Sequence, residues 1–150
     1  MATLAETLHD DMIAALRRHD ELVTGTLRMT LTALKNEEVS GKSARTLTDE
    51  EALVVVGREA KKRREAATMF TDAGRDELAA KELAEADVLD RYLPQQLTDD
   101  ELTQLVAEAI AETGAEGPRG LGAVMKVVGP QTKGRADGKR VSDEVRRQLT

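Results

Sequence analysis

The chain has 150 residues and a net charge of −6, with 40% hydrophobic and 33% charged side chains and a mean hydropathy of −0.43. That is enough apolar material for one domain with a proper core or for two small ones, and too much charge for a membrane protein. With one Phe, one Tyr, no Trp and no Cys, the core must be Leu, Val, Ile, Met and Ala in close-packed helices, and disulfides, thiolate metal sites and a cysteine nucleophile are excluded.

No run approaches the roughly 18 apolar residues of a membrane helix. The first eleven residues have neither the basic start nor the apolar stretch of a signal peptide. The cytoplasm is the expected location.

In chain order, Thr3 and Glu6 make a capping box, in which a hydroxyl and a carboxylate each satisfy an otherwise unpaired amide. Leu4, Leu8, Met12 and Leu16 follow at steps of four, which predicts a first helix from Leu4 to Arg18. A second spans Glu21 to Glu38 and stops where Ser40 and Gly41 interrupt the pattern. After a polar loop, Thr48 with Glu51 opens a third helix that carries Leu53, Val56, Ala60, Ala67 and Phe70 and closes at Ala73 and Gly74, a natural left-handed cap. The fourth spans Asp76 to Tyr92 and ends before Pro94, which bars the helical conformation for its predecessor.

Thr98 and Glu101 start a fifth helix with a third capping box, and Gly114 ends it. A short sixth begins near Pro118 to Gly120 and uses Leu121, Val124, Met125 and Val128, with Gly129 and Pro130 kinking or ending it. Ser142 is then a good N-cap for a closing helix, with Asp143 and Glu144 in the first turn. No strand pattern appears. The expected fold is all-α: an antiparallel four-helix domain over residues 1–94, then a three-helix domain over residues 95–150.

Charge is unevenly spread. From Gly117 to Thr150 there are eight Lys and Arg against three Asp and Glu, net +5, which leaves −11 for the remainder. A basic segment on an acidic body suggests an anionic partner. Lys133, Arg135, Lys139 and Arg140 crowd one stretch, and clusters of this kind bind phosphates as they release counterions; Lys126 and Arg119 extend the patch. Gly134 and Gly138 suit positive backbone torsions, and Asp137 caps or pairs with Arg135 to fix a tight connection before the last helix. A second basic run, Arg58 to Arg64, places Arg58, Lys61 and Lys62 on one helical face; acids nearby make interhelical ion pairs its simpler reading.

Catalytic signals are weak. His9 and His19 lie about 15 Å apart along the first helix, out of reach of one another, and His19 reads as a surface residue at a helix end. The carboxylates read as caps and a solvated face. Gly120-Leu121-Gly122 is half a dinucleotide fingerprint without its strand, and the glycines more plausibly let the sixth helix start close to a neighbour. There is no phosphate-binding lysine loop, and the sequence calls for no cofactor and no metal.

Residues Gly120 to Lys126, then Gly134 to Lys139, then Val141-Ser142, resemble the tail domain of the GatB/YqeY family. The resemblance extends over the chain: Leu27-Arg28-Met29 with Ala33-Leu34-Lys35-Asn36, Glu59 to Glu65, and Tyr92-Leu93-Pro94 with Gln96-Leu97 are similar to the family's second helix, third helix and interdomain joint. It departs at Ala123, where the family usually has a lysine, so that residue's phosphate contact is not carried over.

The tail closes the B subunit of the tRNA-dependent amidotransferase and also occurs in small free-standing YqeY-like proteins, the kind expected here. The resemblance implies tRNA as the partner, held through Lys126, Lys133, Arg135, Lys139 and Arg140, with Gly122, Gly134, Asp137 and Gly138 as the framing motif. Lacking aromatic platforms, the chain would grip RNA by backbone and shape. The family's link to glutamine-dependent carbon–nitrogen ligation concerns other domains, and no independent activity is expected. The alternative is an adaptor whose basic tail docks on an acidic protein or a larger tRNA enzyme, and the acidic N-terminal domain is a candidate surface for a protein partner.

Overall fold

A computed structural model describes residues 1–150. The fold is all-α, with seven helices and no strand: α1 (Leu4–Arg17), α2 (Glu21–Glu38), α3 (Asp49–Asp72), α4 (Asp76–Asp90), α5 (Asp99–Thr113), α6 (Leu121–Thr132) and α7 (Gly138–Leu149). A 3-10 turn, Pro118–Gly120, leads into α6. The chain divides into two compact units, Met1–Leu93 and Pro94–Thr150.

In the N-terminal unit local chemistry sets the helix ends. Thr3 and Glu6 form the expected box, with Glu6 N–H donating to the Thr3 hydroxyl at 3.1 Å and Thr3 N–H to the Glu6 carboxylate at 3.3 Å. Thr48 and Glu51 repeat it at the start of α3. Asp20 caps α2 by accepting from Val23 N–H at 3.1 Å. α1 and α3 both end in paired reverse bonds around a left-handed residue, His19 (φ 60°) and Gly74 (φ 73°) respectively.

Leu8, Leu27, Val55, Val56, Val88 and Leu89 are fully buried between the four helices, and Ala15, Ala60 and Ala86 let the backbones approach. Each large side chain removed from water contributes roughly 1.5–3 kcal/mol. The basic run on α3 is spent largely on neighbours: Arg58 pairs with Glu37 of α2 at 3.2 Å, Arg63 with Glu85 of α4 at 3.2 Å, and Arg64 with Asp90 of α4. The interhelical reading of that run is the correct one for these three.

The C-terminal unit wraps α5, α6 and α7 around Leu102, Val106, Val124, Val128, Val141 and Val145. Three local expectations need correction. α7 begins at Gly138, not Ser142, with Asp137 as the N-cap accepting from Lys139 N–H at 3.3 Å. The earlier start places Val141, Val145 and Leu149 at steps of four toward the core, whereas a start at Ser142 would leave buried Val141 outside the helix. The Ser142 hydroxyl instead donates to the Lys139 carbonyl at 3.1 Å.

α6 runs through Pro130 to Thr132. Proline is tolerated there because it is exposed and the carbonyl it leaves unbonded, that of Lys126, belongs to an exposed residue. Thr132 ties down the last turn by donating to the Val128 carbonyl at 2.9 Å. The third capping box is half made: Glu101 N–H donates to the Thr98 hydroxyl at 3.1 Å, but the Glu101 carboxylate accepts from that same hydroxyl rather than from the backbone, and its other oxygen faces Arg135.

Candidate nucleic-acid interface

Gly134 makes the turn out of α6, and its φ of 77° is one that side-chain-bearing residues resist. The segment it begins is fastened to the residues that precede α5. Leu97 N–H donates to the Arg135 carbonyl at 2.8 Å, Gln96 to the Gly134 carbonyl at 3.0 Å, and Arg135 Nε to the Gln95 carbonyl at 3.1 Å. The loop is thus a fixed connection, and Arg135 is one of its anchors. Gly138 is the first residue of α7 and has no positive torsion.

The expected cations fall into two groups. Arg140 meets Asp99 at 2.7 Å, Lys139 meets Asp143 at 3.2 Å, and Arg135 reaches Glu101 at 3.7 Å. A shallow groove of about 370 Å³ between the start of α5 and α7 is lined by Asp99, Asp137, Lys139, Arg140, Asp143 and Arg147, among others. With Glu144, four carboxylates there face three bases, so the bases are answered within the chain. Arg147 donates twice to Glu144, at 2.6 and 2.9 Å, which holds the Glu144 carboxyl below the usual range and raises the arginine. Exposed pairs of this kind are worth about 0–1 kcal/mol each, so a phosphate can displace them at little cost.

Lys126 and Lys133 form the second group. Both are exposed, Lys126 on α6 and Lys133 at its C-terminal cap, and neither has a carboxylate within ion-pair distance. From Gly117 through Ala136 the chain contains Arg119, Lys126, Lys133 and Arg135 and not one acidic residue, whereas α5 holds five carboxylates and no base.

Of the glycines before α6, Gly120 is the one that packing requires: a Cβ there would stand 2.6 Å from the Ala115 Cβ. Gly122 faces open space. Close approach was the right reason for glycine at one of these positions only.

Elsewhere, His9 is exposed beside Asp10 at 3.8 Å and His19 is exposed at the end of α1. Lys62 pairs with Glu59 at 3.3 Å. The solvated-face reading of the carboxylates fails at Glu59 and Glu85, which are buried around Arg63 with side-chain exposures of 11% and 12% against 5% for the arginine. Arg63 also donates to the Glu59 carbonyl at 3.3 Å. Each acid is engaged by the guanidinium, an arrangement suited to locking α3 against α4. Its sequence signal was faint: Glu59 and Arg63 are four apart on one helix, but Glu85 is contributed by another.

No helix is long and apolar enough to cross a membrane. No curated protein matches the chain. The model of the family described as Yqey-like protein matches residues 5–149, the span from the first turn of α1 to the end of α7, and the chain therefore belongs to the YqeY-like family.

Proposed function

We propose that this protein is a noncatalytic tRNA-binding accessory of tRNA metabolism, acting through its C-terminal unit. The observation that carries the reading is the basic segment from Gly117 to Thr150, net +5 on a chain of −6, folded so that Lys126 and Lys133 are exposed and unpaired while Arg135, Lys139 and Arg140 stand in weak, exchangeable pairs. Family membership supports it through the resemblance to the amidotransferase tail.

With no aromatic platform in the unit, recognition falls to phosphates and shape. The corresponding test is electrophoretic retardation of total tRNA in low salt, repeated as salt rises. Retardation that disappears steeply with salt supports the reading; none at low salt refutes it and favours the adaptor alternative. The same preparation, assayed for glutamate and inorganic phosphate with glutamine, ATP and tRNA present, is expected to show no turnover, since no nucleophile with a neighbouring base is assembled.

A further inference from the structure

We infer that the RNA-contacting surface follows the solvent face of α6 from the turn before it to its C-terminal cap, a single row formed by Arg119, Lys126 and Lys133; the inference rests on the tRNA reading above. These residues are seven apart, which on a helix brings each to within about 20° of the last. The row extends across the 3-10 turn because Gly120 and Leu121 both hold right-handed helical torsions. Lys126 and Lys133 are separated by about 10 Å along the axis and the whole row covers about 20 Å. All three cations are exposed and none is held by a carboxylate. Val124, Val128 and Thr132 anchor the opposite side of the helix in the core, so the row is presented by a rigid element.

Between the cations the same face carries only Gly122, Ala123, Gly129 and Pro130. Gly122 and Gly129 would meet nothing within 4 Å if given a Cβ and have no positive φ. Pro130 accounts for Gly129, since a Cβ before proline crowds its ring in a helix, but packing and backbone conformation within the chain do not account for Gly122, a poor helix former on the exposed face. A polyanion lying along the helix does: with only small side chains between them, the three bases stand above a low ledge that a phosphate backbone can approach. The partner that fits is RNA, engaged through consecutive phosphates and without base readout. The cations at the start of α7 differ, since each must first leave a carboxylate.

The experiment measures tRNA affinity of the full chain across a salt series for three proteins: wild type, R119Q/K126Q/K133Q, and a control, K42Q/R75Q/K81Q, that removes equal charge from exposed positions of the N-terminal unit. The row variant should lower the slope of log affinity against log salt by about 2.1 to 2.7, at roughly 0.7 to 0.9 per phosphate contact, while the control keeps the wild-type slope. A folded row variant with the wild-type slope, or an equal fall in the control, overturns the inference while wild-type binding leaves the tRNA reading intact; failure of wild type to bind sinks that reading itself. A further variant, G122Q, keeps the charge and replaces glycine with a better helix former. It should melt higher and bind tRNA more weakly, and unchanged binding by it would contradict the ledge.

Discussion

Arg63 is the residue on which the N-terminal unit depends most for polar satisfaction. Its guanidinium faces Glu59 at 3.6 Å and Glu85 at 3.2 Å, and Met29 Sδ lies at 3.8 Å. Removing one partner of a buried pair leaves uncompensated charge, so Arg63→Met should cost about 3–5 kcal/mol, read as a fall in urea midpoint. His19 stores a smaller strain: left-handed backbone suits glycine, and His19→Gly should stabilise the unit by about 1 kcal/mol.

At Tyr92, burial and then the hydrogen bond to Asp11 at 2.6 Å push the phenol above its ordinary value. The folded state holds this proton more tightly than the unfolded state does. The stabilisation is therefore present below about pH 10 and lost as pH rises beyond it. Tyr92→Phe should cost about 1 kcal/mol at neutral pH and flatten the alkaline limb of a melting-temperature profile; an identical limb in both proteins would remove Tyr92 as its cause.

Among the elements, the helix ends that depend on local chemistry were legible in the sequence. Asp49, Asp72, Asp99 and Thr113 bound their helices where threonine caps and left-handed glycines predicted. The start of α7 was not, because Ser142 with Asp143 and Glu144 is as good an N-terminal pattern as Asp137. Burial of Val141 decides between them, and that is a tertiary fact. Asp137→Ala should therefore cost about 1 kcal/mol through loss of the cap, while Ser142→Ala changes stability by less than about 0.5 kcal/mol; the reverse order in thermal melts would restore the later start.

The candidate interface was legible to the same extent. Its basic residues could be counted along the chain, but their pairing could not, since Asp99 and Glu101 come from α5, a whole helix earlier in the chain than Arg140 and Arg135. Only Lys139 with Asp143, four apart on one helix, carried a sequence signal.

For the whole molecule, two units each with its own core predict that residues 94–150 fold alone, and limited proteolysis should yield a stable fragment of that size. Leu97 belongs to the C-terminal core, and residues 95–97 are bonded to the Gly134–Arg135 turn, so cleavage is expected just before Pro94 rather than after it. A scatter of cuts through both cores would show that neither stands by itself.

The C-terminal unit's charge is divided by element: carboxylates crowd α5, and unpaired bases lie on α6 and at its two ends. The most direct measurement is the salt dependence of tRNA binding by the intact protein, followed by fluorescence anisotropy. Three unpaired cations predict complex formation at 50 mM salt and a slope of log affinity against log salt at least as steep as about −2. No complex at that salt, or an affinity indifferent to salt, would contradict the account.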